Sequence, residues 1–393
     1  MASHLLEGKK IIVAGAGISG LSFTLALRRL WPANLTPPSI TVYERDANVV
    51  PAGREGYTIS LAGHDETGGL YAARDLGILD DVMKHAVKSF GNKFEFTMWN
   101  SSWSELLTQK HEPAPGLPAS GIRIARKKLR QVLTDVVGRE RVKWNTTCVD
   151  AERLHNGRML VKLSGSHLSE NDSTAECDLL IIADGASSKL RASLRPNDTL
   201  QYTGIMQKGG LAIFPNGIPK PVDEKWGLIV SSGKGVACFL SPYDETSVSW
   251  GLSYRAPTIE EPLRISSIEE AQSVIEESKE LGNEFVEPFQ SILDATDPKS
   301  VSRLAARDKQ PFSHDLSLGP AIFIGDSNHA ITPFSGYGAS LAMKDGWDLA
   351  THLCGSQSLE EAVKAYDATS IPRATKMLKE SRQRIDMSHV TGL

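Results

Sequence analysis

Two kinds of hydrophobic pattern alternate along the chain. In the first, apolar residues run without interruption over Lys10 to Ala14, Asp178 to Asp184 and Ala321 to Asp326. Such runs read as strands buried on both faces of a parallel sheet. In the second, large and small residues alternate strictly, as in Ser247-Val248-Ser249-Trp250-Gly251-Leu252-Ser253-Tyr254. That alternation predicts an antiparallel strand with one bulky face and one bare face.

Helical periodicity fills the intervals. Ile18 to Leu30 is apolar on nearly all sides and predicts a buried helix. Residues 66–88 carry the stripe Leu70, Leu76, Ile78, Leu79 and Val82, and residues 266–293 read as helices. Ala125 to Val137 reads as a helix opening on basic residues, and Leu359 to Arg384 as a long, heavily charged one. Ser39 to Glu44 predicts the second strand of a β-α-β unit. The Pro-rich stretches Trp31 to Pro38 and His111 to Pro118 forbid helix and read as connections. Val142 to Leu163 suggests a hairpin turning near His155-Asn156-Gly157, and Ser164 to Ala175 an exposed polar loop.

The order of these patterns carries the domain reading. Parallel α/β features occupy residues 10–60, 120–190 and 320–350, and antiparallel material lies between the last two blocks. The expectation is an α/β fold, with a Rossmann-like nucleotide domain in three pieces (1–75, 118–197 and 300–352). A segment of substrate-side helices and strands (76–117), an inserted antiparallel-sheet substrate domain (198–299) and a long C-terminal helix (353–393) complete it.

Composition narrows the partners. The 393 residues are 40% hydrophobic and 23% charged with a net charge of −4, and no basic block stands apart. Nucleic acid and anionic membrane are therefore not expected as partners. The four cysteines, Cys148, Cys177, Cys238 and Cys354, form no C-x-x-C, so neither a zinc site nor a disulfide framework is expected, and a cytoplasmic, reducing location fits. The uncharged run Ile11 to Leu27 is 17 residues long and holds three glycines. A strand, tight turn and buried helix explain it better than a membrane span of about 20 residues or a signal peptide.

The chemistry sits in three distant segments. Gly15-Ala16-Gly17-Ile18-Ser19-Gly20 follows the first strand as G-x-G-x-x-G. Gly15 permits the turn, Gly17 lets the backbone approach a pyrophosphate, and Gly20 lets helix and strand pack closely. The free N–H groups of the helix start, at Ile18 and Ser19, add a positive dipole end. Glu44, 24 residues beyond Gly20, can accept hydrogen bonds from a ribose. The second segment is Asp184-Gly185-Ala186-Ser187-Ser188-Lys189-Leu190-Arg191. The third runs from Gly325-Asp326 through His329 and Pro333 to Gly336, Gly338, Ala339 and Ser340.

Together these segments resemble the class A flavoprotein monooxygenases, including tetracycline-inactivating, salicylate-hydroxylase-like and fungal tailoring enzymes. The second matches that family's D-G-x-x-S-x-[VL]-R, and the third its G-D-A-A-H-x-x-x-P-x-x-G-Q-G-[AV]-N, with Asn328, Tyr337 and Ser340 departing from it. Arg126 and Arg130 match its R-x-x-L-R helix, and the segment holding Arg54 and Gly56 its stretch beside the isoalloxazine. The resemblance implies bound FAD, with NADPH or NADH as a transient electron donor. Dioxygen would be the second substrate, and a flavin C4a-hydroperoxide would hydroxylate or epoxidise a small aromatic, polyketide-like or alkaloid-like molecule. It assigns Asp326 to the ribityl chain, Arg126 to phosphate or ribityl oxygen, Asp184 to the cleft and Arg45 to the adenosine. The amides after Pro333, with Gly336 and Gly338 leaving room, would face the flavin ring edge. His329 is expected to position the loop and Arg191 to tie it to the sheet.

Substrate candidates come from the inserted sheet: Gln207, Lys208, Lys234 and Tyr254 as polar groups, and Trp226, Phe239 and Trp250 as ring-packing groups. The alternatives are an FAD-dependent oxidase, dehydrogenase or cyclase, and a non-catalytic protein of the same fold. A monomer or weak homo-oligomer is expected.

Overall fold

The computed structural model describes residues 4–47, 57–88 and 94–391. Five short strands form a parallel sheet in the spatial order Ala321–Phe323, Leu179–Ile182, Lys10–Ala14, Ser39–Tyr43 and Val142–Lys143. Strands from all three predicted α/β blocks thus lie side by side, and the uninterrupted apolar runs are the ones buried on both faces. Ile11, Val13, Ile181 and Ile322 face a core shared with the helices Ile18–Leu30, Arg126–Val137 and Gly338–Gly355. Ile12, Ala14, Leu180, Ile182 and Phe323 face a three-stranded antiparallel sheet built from Thr147–Arg153, Met159–Ser164 and Thr174–Cys177.

A second, seven-stranded sheet is built mainly from the alternating region. Its spatial order is Ser302–Asp308, Gln201–Ile213, Ser247–Arg255, Val236–Pro242, Trp226–Val230, Phe96–Trp99 and Glu105–Gln109. All its pairings are antiparallel except Trp226–Val230 with Phe96–Trp99. Register assigns its two faces. Met206, Trp250, Leu252, Tyr254, Cys238 and Leu240 point toward the helices Ile268–Leu281 and Phe289–Asp294 and form one core with Ile275, Phe289 and Ile292. Ser249, Gly251 and Ser253 share the opposite face with Gln207, Phe239, Ser241 and Trp226. Along Gln201–Ile213 the helix-facing positions from Met206 to Ala212 are buried, whereas Gln207, Gly209 and Leu211 are half-buried. The bare face is accessible only in part, at Gln207, Gly209, Leu211 and Phe239, while Ser241, Ser249, Gly251 and Ser253 on it are buried.

An antiparallel ribbon, Thr58–Ala62 with Gly121–Ala125, lies between the two large sheets. Thr58 Oγ1 approaches Ser241 Oγ at 3.4 Å, so the ribbon faces the bare side of the seven-stranded sheet.

The helix Leu359–Ser388 braces both halves. Ser358 starts it by accepting from Glu361 N, and Glu361 Oε2 accepts in return from Gln357 N, a reciprocal arrangement of the capping-box type. Along its length Arg373 reaches Asp345, Arg382 reaches Asp308, and Arg384 Nη1 donates to Ser335 O at 2.9 Å. Past its end, His389 Nε2 meets Ser253 Oγ at 2.8 Å on the seven-stranded sheet.

Three expectations change in detail. Residues 66–88 contain two short helices, Gly69–Asp75 and Leu79–Lys84, because Gly77 takes φ +72 and ends the first. The polar segment after Ser164 ends in a strand, Thr174–Cys177, that pairs with Met159–Ser164. The C-terminal helix runs to Ser388 rather than Arg384.

Candidate cofactor and substrate site

The first turn is built by exclusion. Gly15 has φ +109, and a Cβ there would stand 2.3 Å from Ala183 O; one on Gly20 would stand 2.2 Å from Gly15 O. Only glycine fits either position. Gly17 differs, because a Cβ there would stand 3.9 Å from its nearest protein neighbour, Ala183 O. Nothing in the protein demands glycine there, so the space in front of Gly17 is left for something else. The helix it precedes has no side-chain cap and no acid in its first turn. Its first N–H groups, at Ile18 and Ser19 among them, are therefore available to a ligand.

Glu44 does more than the sequence suggested. Its Oε2 accepts from Ala16 N at 2.8 Å and its Oε1 from Asp46 N at 2.9 Å. Arg130 Nε donates to Ala16 O at 2.9 Å and its Nη2 lies 3.3 Å from Glu44 Oε2. Both side chains are buried. They fix the turn, and a carboxylate with about four acceptor positions retains capacity for a hydroxyl. Arg45 is exposed and lies 3.8 Å from Asp46.

The other two segments meet this turn. Ala183 and Asp184 pack against Gly15, and Gly325 packs against Ser19, whose Oγ is 2.9 Å from a Gly325 Cβ position. Arg191 Nη1 donates to Ser327 O at 2.9 Å and its Nε to Asp198 O at 3.2 Å, tying the second segment to the third. Asp184 Oδ2 accepts from Leu190 N at 3.3 Å, while its Oδ1 is buried without a partner. Desolvation holds the Asp184 carboxyl above its ordinary range, against the Ser188 hydrogen bond. Gly185, with φ +86, has open space in front of it.

Asp326 is solvent-accessible but walled by protein. Burial of its carboxyl raises its pKa, and the charges of His329 and Arg126 oppose that shift. Behind it His329 Nε2 meets Asp345 Oδ2 at 2.7 Å, and the same oxygen accepts from Gly325 N at 2.9 Å. Burial alone would raise the Asp345 pKa, yet His329, Arg373 and the Gly325 amide bring it down to about 2. Asp345 in turn holds the His329 pKa up. His329 thus fixes the Gly325-Asp326 turn from behind.

Pro333 opens a single short turn, Pro333–Ser335, followed by Gly336 at φ +71. The helix Gly338–Gly355 starts with no side-chain cap and no acid in its first turn. Gly338 has no neighbour within 4 Å of a Cβ position, and that of Gly336 meets only Ser60 Oγ, at 3.8 Å. Gly338 and Ala339 open this helix, so its free amides point into the same space. Arg126 begins the helix Arg126–Val137, its own N–H donating to Tyr57 O at 3.1 Å. Arg54 and Gly56 lie outside the described residues.

A buried carboxylate oxygen without a partner, two uncapped helix starts and glycines facing open space fit an extended dinucleotide. A family model described as FAD binding domain matches residues 9–381. The chain belongs to this FAD-binding family. It is 42% identical over 395 residues to monooxygenase cfoF of Aspergillus candidus, across 99% of this chain and 94% of that protein. It is 27% identical to an FAD-dependent urate hydroxylase of Klebsiella pneumoniae, across 97% of this chain and 90% of the relative. Among solved structures, Klebsiella pneumoniae HpxO with FAD and uric acid superposes with a TM-score of 0.77 at 22% identity, covering 98% of this chain and 90% of that one. Tetracycline destructase Tet(51) superposes with a TM-score of 0.69 at 16% identity, covering 99% and 92%. These last two likenesses concern the fold.

The substrate candidates separate by face. Gln207, Trp226 and Phe239 lie on the bare face toward the FAD-binding half, with Gln207 Oε1 and Trp226 Nε1 buried and without partners. Trp250 and Tyr254 lie on the other face. Trp250 Nε1 donates to Thr296 Oγ1 at 2.9 Å, and the Tyr254 hydroxyl donates to Glu260. Their place is the helix-packed core, which corrects the expectation that they meet substrate. Lys208 pairs with Glu277 at 2.7 Å in that same layer, and Lys234 with Glu284 at 3.4 Å near the surface. One residue of the bare side escaped the sequence reading. Arg123, in the ribbon strand Gly121–Ala125, is buried under Trp226 and Phe239. Its signal was a single charge in a short strand of apolar and small residues.

Proposed function

We propose that the protein is an FAD-dependent monooxygenase that uses NADPH or NADH and dioxygen to hydroxylate or epoxidise a small aromatic or polyketide-like molecule. The observation that carries this reading is the convergence of Gly17, Asp184 and Asp326 at one junction, with the bare face of the seven-stranded sheet across from it. The similarity to a monooxygenase over 99% of the chain supports it.

FAD, when bound, supplies hydride acceptance from the nicotinamide and oxygen transfer to substrate. The protein's part is binding and orientation. The amides at Ile18 and Ser19 hold the pyrophosphate, and Glu44 takes a ribose hydroxyl. Asp326 would accept from the ribityl chain, and Arg126 would offer a cation beside it. The helix beginning at Gly338 and Ala339 would present its positive end and free amides to the cofactor and stabilise negative charge there. Gln207, Trp226 and Phe239 line the substrate side and limit water. In this reading the parallel-sheet pieces form the FAD domain, the seven-stranded sheet forms the substrate domain, and the protein works in the cytoplasm as a monomer or weak homo-oligomer. Among the described residues no helix is long and apolar enough to cross a membrane.

A panel of phenolic and polyketide-like compounds under NADPH and air tests the proposal. The reading expects at least one compound to convert NADPH oxidation from peroxide release to oxygenated product. NADPH oxidation that yields only peroxide across the panel would favour an oxidase.

A further inference from the structure

The interior between the two halves contains a cation with no anion beside it among the described residues. Arg123 is only 4% exposed. Its Nε donates to Ser241 Oγ at 3.2 Å, its Nη1 to Ser60 Oγ at 2.8 Å, and its Nη2 to Thr58 O at 2.9 Å and to Thr58 Oγ1. All these partners are neutral. No carboxylate among the described residues pairs with it, and burial unrelieved by any counter-charge pulls the guanidinium down to about 9. Buried charges are ordinarily paired, because an isolated one carries a large desolvation penalty.

Its surroundings are aromatic. The guanidinium lies 5.0 Å from the ring centres of both Trp226 and Phe239. Phe94 and Phe96 close on Trp226 at 4.9 and 5.4 Å. Phe239 is half-buried, and the Trp226 Nε1 has no acceptor. Ser60 links this cluster to the cofactor side: its Oγ receives Arg123 Nη1 and lies 3.8 Å from a Cβ position on Gly336. The Ser60 hydroxyl proton has no acceptor among the described residues, and one of the five guanidinium N–H groups is also unassigned.

We infer that Arg123 is a substrate-binding residue and that the substrate is an aromatic molecule bearing an anionic oxygen, carboxylate or phenolate. The oxygen takes the free Nη1 proton and the Ser60 hydroxyl, and the ring lies against Phe239 and Trp226. A phenol bound here ionises more readily than in water, its proton passing to solvent, because Arg123 stabilises the oxyanion. This inference rests on the monooxygenase reading for the identity of the pocket.

The test is equilibrium binding to the FAD-loaded protein, read by tryptophan fluorescence and flavin absorbance, without NADPH. The probes are benzoate and para-nitrophenol, with benzamide and para-nitroanisole as neutral counterparts. In the wild type the anions bind more tightly than their neutral partners. Arg123→Gln weakens the anions by about tenfold or more, leaves the neutral probes unchanged, and Arg123→Lys recovers part of the loss. The tighter of benzoate and para-nitrophenolate identifies the oxygen. Equal anion-to-neutral ratios in wild type and Arg123→Gln would overturn the assignment. Wild-type protein supplies a check that needs no folded variant: para-nitrophenol bound below its own pKa shows the phenolate band, and its absence also overturns the assignment. Failure here with intact NADPH-driven oxygenation removes Arg123 alone, whereas anion binding with no turnover removes the monooxygenase reading.

Discussion

Glu44 and Arg130 hold the two polar ends of one residue. Glu44 accepts the Ala16 N–H at 2.8 Å, Arg130 donates to the Ala16 carbonyl at 2.9 Å, and the two side chains meet at 3.3 Å. The turn from Gly15 to Gly20 is therefore held by protein groups alone. Removing the carboxylate costs the protein as well as the complex. Glu44→Ala is expected to lower the stability of the FAD-free protein by about 1.5–3 kcal/mol, the range for a hydrogen bond to a charged group. Thermal unfolding of the stripped protein checks it. An unchanged melting temperature with lost FAD affinity would make Glu44 a ligand only.

Two glycines two residues apart should behave oppositely. Gly15→Ala forces a Cβ to within 2.3 Å of Ala183 O at φ +109 and should destabilise the fold with or without cofactor. Gly17→Ala has 3.9 Å of clearance and should leave the FAD-free protein unaffected while greatly weakening FAD binding. Melting curves paired with FAD titrations separate the two.

The His329–Asp345 pair gives a pH signature. Asp345 is lowered from 3.8 to about 2, so its contribution is complete above 3.8 and fades as pH falls through about 2. His329 is raised from 6.5, so its contribution is complete below 6.5 and fades as pH rises through the raised value. The stability lost in Asp345→Asn should therefore be largest between these limits. A loss independent of pH across this range would show that the pair is not ionised as described.

Asp326→Ala removes an exposed acceptor from the cleft and breaks no hydrogen bond of the His329–Asp345 pair. FAD affinity should fall by about 1–3 kcal/mol with little change in unfolding of the stripped protein. A fully loaded variant with unchanged affinity would remove Asp326 from the site.

Much of the fold was legible because its core strands are continuous apolar runs. Lys10–Ala14 and Ile18–Leu30 have the predicted bounds, set off by Lys9-Lys10 on one side and Arg28-Arg29 on the other. The three segments that the fold brings together were legible too, since glycine and aspartate at strand ends leave local marks. What the sequence hides is which face of a strand meets which layer. Trp250 and Phe239 lie in adjacent strands and look equivalent in composition, yet only the register of Phe239 with Gly251 and of Leu240 with Trp250 puts them on opposite faces. Arg123 was hidden for a similar reason. Its meaning comes from Ser241, Trp226 and Phe239, more than a hundred residues away, and from the absence of any acid among them.

The central claim is that bound FAD takes electrons from a nicotinamide and passes one oxygen atom from dioxygen to substrate. Anaerobic mixing of the yellow, FAD-loaded protein with NADPH or NADH in the presence of an aromatic substrate tests it most directly. The account predicts that the flavin colour bleaches, and that admitting isotopically labelled dioxygen restores it with one labelled atom in the product. Flavin that stays yellow with both nucleotides, across the substrate panel, would contradict it.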